Sequence, residues 1–305
     1  MPSPFRFGVQ AMDFGDPSVL RALALLAESL GYDELFTADH LGAPDPFIPL
    51  MLAAEATTTL RVGPLVINNE LYHPALLART AASLDALSGG RLVLGLGTGY
   101  MQSEHDAMNI VLRPPAERVD RFEESVTALR FLLDDGRAEV DGAHHTLSID
   151  DLGIAPSQPR VPFLIGGHGR RVVGIAGRHA DIYQFTGLTH GAGGAPEPGG
   201  FRFADLRQRS GWLEAAAGDR ADQIERSALV QRVVIGIGAE IAAAEASAGW
   251  GLDRGELEDC PFGLFGSVEQ VVDKLYRLRD SIGISHYVIR DVEGFAPIVD
   301  VLGGR

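Results

Sequence analysis

The chain contains a single cysteine, Cys260, and a single lysine, Lys274, among 305 residues. One cysteine excludes an internal disulfide and any thiolate metal cluster, which agrees with a reducing compartment. No stretch of about 18 or more uncharged apolar residues occurs, the length a membrane span requires. The N-terminal MPSPFRFGVQ lacks a basic region followed by an apolar one, so no secretory signal is expected. The expectation is a soluble, cytoplasmic protein with no membrane partner. Positive charge is also scarce: 26 Lys and Arg face 41 Asp and Glu, a formal charge of −15. That balance argues against nucleic acid as a partner. HExxH and GxSxG are missing, as is an HxH at the end of the first strand, and no catalytic metal is expected.

What is present is alternation. Apolar runs rich in branched residues fall at 5–10, 34–39, 61–68, 91–97, 162–167, 181–185, 228–236 and 285–290. Helical patterns lie between them, at about 18–30, 46–58, 74–87, 116–133, 169–178, 204–217, 238–248 and 267–282, with a last one near 295–302. Strands of this kind, buried on both faces and joined by helices, run parallel through right-handed crossovers. Eight such units over this length fit an α/β fold of the (β/α)8 TIM-barrel type, one domain spanning 1–305, better than an open sheet. Two segments interrupt the repeat. GRAEVDGAHHTLSID (136–150) reads as a hairpin insertion with His144 and His145 as a surface pair, and THGAGGAPEPGG (189–200) as a Gly/Pro-rich loop.

In such a barrel the chemistry collects where strands end. The second strand ends in Asp39 and His40, the best catalytic candidates, because an imidazole exchanges protons near neutrality and a carboxylate nearby holds or charges it. The plainer alternative is a helix-capping Asp and a surface His. After the fourth strand come Thr98, Gly99 and Tyr100, then Ser103, Glu104 and His105. GLGTGY (95–100) has the wrong spacing for a dinucleotide fingerprint, yet it sets a hydroxyl and bare backbone at the rim. After the fifth strand, Gly166, Gly167, His168 and Gly169 lead into a helix at Arg170, either an ordinary tight turn or an anion seat. Phe14, Phe47, Tyr72, Tyr100 and Phe185 are candidate aromatics for the rim, suited to an apolar, planar substrate.

Five segments carry a resemblance: TADH (37–40), VINNELYHPALLARTAASLDALSGGRLVLGLGTGYM (66–101), RPPAERVDRFEESVTALRFL (113–132), FLIGGHGRRVVGIAGRHADIY (163–183) and FGSVEQVVDKLYRLRDSIGISHYVIR (265–290). Through them the chain resembles the bacterial luciferase-like monooxygenase superfamily, and within it the branch using the deazaflavin coenzyme F420. The resemblance implies a cofactor ring in the barrel mouth, backed by a bulge near Pro64 and Leu65, with Ile67 close by. It implies a ring contact from Asp39, a tail contact from Ser103, proton transfer by His40, and a phosphate on Gly166, Gly167, Gly169 and Arg170, while the rim place of Thr98 and Gly99 suits the flat face or the tail of that cofactor. His168, Arg170 and Arg171 would meet the deazaflavin tail. The chain departs from its branch at the bulge, where Pro64 suggests that any cis bond is Gly63–Pro64. It also departs at Tyr100, which stands where the sugar-phosphate dehydrogenase of the branch has a catalytic Glu. Glu104 does not match that position, so the sugar phosphate is not the expected substrate. The implied activity is hydride transfer between F420 and a small organic substrate. The alternatives are a monooxygenase using reduced FMN supplied by a separate reductase, and a non-catalytic flavin-binding protein. Relatives are often homodimers.

Overall fold

A run of branched and aromatic residues favours a strand, and the polar-capped amphipathic stretch after it favours a helix that covers the strand. A computed structural model describes residues 3–12, 15–190, 196–197 and 199–304. Strand β1 (Arg6–Ala11) is followed by α1 (Pro17–Ser29), β2 (Glu34–Thr37), α2 (Phe47–Ala56), β3 (Arg61–Pro64) and β4 (Ile67–Asn68). Next come α3 (Pro74–Leu87), β5 (Leu94–Gly97), α4 (Gln102–Met108), α5 (Pro115–Asp135), β6 (Ala138–Asp141), β7 (Thr146–Ile149), β8 (Phe163–Gly166) and α6 (Arg170–His179). Then follow β9 (Ile182–Phe185), β10 (Thr189–His190), β11 (Pro196–Glu197), α7 (Phe203–Ala217), β12 (Glu225–Leu229) and β13 (Arg232–Ile235). The chain ends with α8 (Ala239–Trp250), α9 (Arg254–Glu258), β14 (Gly263–Gly266), α10 (Val268–Ile282), β15 (Ile284–Ile289) and α11 (Val292–Leu302). Local signals fix the helix ends. Asp16 accepts from Ser18 N–H at 2.7 Å with Pro17 at the first helical position, and Ser267 and Gln270 form a reciprocal capping box on α10. Among the described residues no helix is long and apolar enough to cross a membrane.

Nine parallel strands run in the order β3, β2, β1, β15, β12, β9, β8, β5, β4. Because β3 and β4 are two halves of one interrupted strand, the ring has eight positions. It closes where Val62 N–H donates to Arg91 O and Val93 N–H to Val62 O, both at 2.9 Å, and where β4 pairs with β5. The fold is the expected (β/α)8 barrel.

Several expectations require correction. The seventh barrel strand is β12, not 228–236. At Val230 the chain still donates to Val288 O, but Gln231 N–H turns to Phe262 O and β13 leaves to pair with β14. One apolar run therefore hides a change of partner. At the bulge the cis peptide is Leu65–Val66, not Gly63–Pro64. Pro64 still holds its place in the β2 ladder opposite Thr37, and Leu65 N–H donates to Thr37 O at 2.7 Å, so the bend follows Leu65. The insertion is a hairpin, β6 against β7, but His145 is no surface residue. Glu124 on α5 accepts the N–H groups of Ala143, His144 and His145, drawing the hairpin down until His145 is buried and its Nε2 lies 2.8 Å from Ser125 Oγ. Of the segment 189–200, β10 and β11 form a short antiparallel pair, while 191–195 and 198 lie outside the described residues.

Side chains alternate across each strand, which gives the barrel two cores. The outer one, between strands and helices, takes Phe7, Val9, Leu35, Leu94, Leu96, Phe163 and Tyr287. The inner one is layered. At the N-terminal ends of the strands Arg6 pairs with Glu34 and with Glu225, the latter at 2.8 Å, and His286 Nε2 lies 3.1 Å from Glu34 Oε2. Above them Phe36, Leu65, Val93, Leu164, Ile182 and Val288 fill the axis. Each such buried apolar side chain contributes on the order of 1.5–3 kcal/mol. The top tier is polar and open.

Candidate active site

The C-terminal rim is built by the break in the third strand. Val66, just past the bulge, turns inward, where its methyls face the positions a Cβ would take on Gly95, Gly97 and Gly166. At Gly97 such an atom would stand 2.6 Å from Val66 Cγ2, so only glycine admits the approach. At Gly166 the nearest atoms would be 3.8 Å away on Val66 and 4.0 Å away on Gln184, so glycine there leaves floor space open. Gly99 has φ +76°, and a Cβ on it would sit 2.0 Å from Asn68 Oδ1. A flat, glycine-cleared floor results, edged by Val66 and Gln184.

His40 belongs to the same rim, just past the end of β2. Its Nδ1 lies 2.8 Å from Glu104 Oε1, and the same oxygen accepts Leu41 N–H at 3.2 Å. Glu104 is buried on α4. An ionised carboxylate only accepts, so Nδ1 is the donor in this contact, and Nε2 lies 3.5 Å from the Tyr100 hydroxyl. Asp39 is committed differently: Oδ2 accepts Asn68 N–H at 2.8 Å, and Oδ1 accepts the Tyr72 hydroxyl at 3.4 Å. Asp39 thus ties β2 to the half-strand beyond the bulge. Burial raises its pKa more than these donors lower it, and burial also raises the pKa of the Tyr72 and Tyr100 hydroxyls.

At the β8 end, Gly166, Gly167, His168 and Gly169 turn the chain into α6. Tyr183 O–H donates to Gly167 O at 2.8 Å and a Cβ on Gly167 would meet Val172 Cγ1 at 2.6 Å, so the turn is held from below. Gly169 caps α6 without a side-chain bond, the first turn carries no acidic residue, and Arg170 is exposed. Unpaired first-turn N–H groups beside a guanidinium form a seat that fits a phosphate. His168 lies beside this turn, and desolvation there, with the Arg209 charge second, lowers its pKa. Arg171 is already spent on Asp120 of α5.

Other sequence candidates scatter. Thr98 and Ser103 lie at the rim, Ser103 exposed on α4. Pro64 and Leu65 sit at the bulge as expected, with Leu65 in the inner core. Ile67 does not face the mouth: it is fully buried in the outer core, paired across β4 and β5 with Leu96, and Val66 takes the inward place. Of the aromatics, Tyr72 and Tyr100 reach the site, whereas Phe47 and Phe185 are buried in the outer core. Phe14 lies outside the described residues. Sequence reasoning missed Glu104 as a partner of His40, and missed Gln10 and Gln184. Glu104 was visible at the rim, four residues past Tyr100, but nothing local shows that α4 returns toward the end of β2.

Comparison with known proteins agrees with this architecture. The pattern of the luciferase-like monooxygenase family matches residues 3–286. The F420-dependent glucose-6-phosphate dehydrogenase of Nakamurella multipartita is 34% identical over 196 residues, 61% of this chain and 57% of that enzyme. The match thus spans little more than half of that relative's length. Among solved structures, the coenzyme F420 dependent tetrahydromethanopterin reductase of Methanopyrus kandleri superposes with a TM-score of 0.77 at 20% identity, covering 98% of each chain. A riboflavin lyase solved with modified FMN gives 0.78 at 18% identity, covering 99% of this chain and 92% of its own. At such identities the likeness shows the barrel fold alone. The match across 3–286 decides the assignment: the chain belongs to the luciferase-like monooxygenase family.

Proposed function

We propose that the protein is an oxidoreductase that moves a hydride between coenzyme F420 and a small organic substrate lying in the barrel mouth. The observation that carries this reading is the Glu104–His40 pair, whose 2.8 Å contact engages Nδ1 and leaves Nε2 toward the Tyr100 hydroxyl at the same rim as the glycine-cleared floor. The similarity to an F420-dependent dehydrogenase supports the choice of cofactor. When bound, the deazaflavin supplies the hydride donor or acceptor. The chain's own part is to bind, orient and transfer a proton. First-turn amides of α6 and Arg170 would hold the phosphate, with His168 beside it. Val66, Gly97, Thr98 and Gly99 would bound the ring and Ser103 would meet the tail, while Asp39 fixes the bulge as a positioning residue. His40 Nε2 gives or takes the proton that accompanies the hydride, while Glu104 stabilises the imidazolium. Tyr72 and Tyr100 narrow the mouth and limit water.

The second reading, a reduced-FMN monooxygenase served by a separate reductase, needs the same phosphate seat, and the riboflavin lyase likeness keeps it in view. A homodimer and a cytoplasmic location complete the proposal. Exposed Ile48 on α2 with Leu76 and Leu87 on α3 offers apolar surface for such a dimer. Titration of the purified protein with F420 and, in parallel, with oxidised and reduced FMN tests the choice. Micromolar binding of F420 with FMN much weaker is expected, and selective binding of reduced FMN would overturn it. Arg170→Ala should weaken whichever cofactor binds.

A further inference from the structure

Arg290 follows the last residue of β15, in step with His286 and Val288, both of which point into the barrel. Its Nε–H donates to Gln10 Oε1 at 3.1 Å. Gln10 is itself buried, and its amide Nε2 donates to the bulge carbonyl of Leu65 at 3.3 Å. A relay of two side chains therefore fixes the Arg290 stem to the wall on which the ring is expected to rest. The guanidinium is left open. Among the described residues Arg290 makes no ion pair, and neither terminal nitrogen has a protein acceptor. Two other half-buried arginines without ion pairs spend their forks as struts: Arg91 serves Ser88 O, Leu60 O and Ala54 O, and Arg220 serves Gly177 O, Arg178 O and Ala180 O. Arg290 braces nothing with its fork. A preoriented fork with two outward donors matches a bidentate oxyanion.

We propose that Arg290, held by Gln10, is the specificity-determining residue for the substrate, which carries an oxyanion group, a carboxylate or a phosphate, at the end away from the reacting carbon. This deepens the proposed oxidoreductase reading and rests on it for the location of the reacting carbon. The tyrosines at the mouth favour a planar body for that molecule. Substrate and cofactor phosphate would then be held on different walls, by β15 and by the turn after β8.

The test is a calorimetric titration with benzoate, phenyl phosphate and the neutral benzamide, each with F420 present, with FMN present and with neither. At least one anion should bind the wild-type protein tenfold or more tightly than benzamide, and the better anion names the group. Arg290→Met should abolish that preference, Arg290→Lys should retain part of it, and Gln10→Leu should reduce it severalfold. F420 affinity should stay within twofold in the Arg290 variants. Equal binding of all three probes, or an anion preference surviving in Arg290→Met, would overturn the proposal. So would a fall in F420 affinity in Arg290→Met, because the fork would then belong to the cofactor. If F420 does not bind at all, the cofactor reading fails while the anion preference is still read from the other arms.

Discussion

At the residue scale, the site rests on a division of labour between neighbours in sequence. Asp39 and His40 are adjacent, yet one secures backbone and the other faces the mouth. His40→Ala is expected to leave F420 affinity nearly intact while lowering turnover by roughly a hundredfold or more, the usual scale for a general acid or base. Glu104→Gln should keep the fold and lower turnover by about tenfold or more, since an amide cannot offset the imidazolium charge. Turnover unchanged in either variant would remove that residue from the assigned role. The sequence offered His40 as a candidate because a strand end puts it on the rim where such barrels gather their chemistry. Its partner was not legible, because Glu104 meets it across 64 positions of chain, a distance that only the barrel's closure bridges.

The elements tell a similar story. Helix limits were readable because capping groups announce them: the Asp16–Pro17 start and the Ser267 box are local chemistry. Strand positions were readable from apolar runs. What hid was partner choice, as in the 228–236 run, where apolar character continues smoothly while the hydrogen bonds pass from the barrel to β14. Ile67 hid for the other reason: side chains alternate with period two, so the irregular bend after Leu65 resets which residue faces inward. Where backbone geometry is demanding, substitution should be costly. Gly99→Ala combines a left-handed φ of +76° with an atom 2.0 Å from Asn68 Oδ1. It should destabilise the fold by about 1–3 kcal/mol, read from denaturant midpoints, and should displace the Asn68 side chain that lies 3.2 Å from His105.

For the whole molecule, acid stability follows from two buried imidazoles. Burial holds the pKa of both His145 and His286 down to about 4, against 6.5 for the free group. Their contribution is complete above pH 6.5. As pH falls below that, the unfolded chain binds protons that the folded one refuses until about 4. Stability should then drop by about 1.4 kcal/mol per pH unit for each group, visible as a falling thermal midpoint. His145→Gln should flatten part of that slope. At lower pH a carboxylate takes over. Burial pushes the Glu28 pKa up, but the N–H groups of Thr59, Thr58 and Leu60 outweigh it and hold the group at about 2, so its stabilisation is lost between 4.5 and that value.

The layered axis has a last consequence. With Arg6, Glu34, Glu225 and His286 at one end and Phe36, Leu164 and Val288 above them, the barrel is a cup, closed below and open above. Two molecules that react face to face inside a cup have to share one doorway. The one that lies on the floor enters first and leaves last, so the architecture itself imposes a queue, and product-inhibition patterns should show the cofactor as the leading ligand.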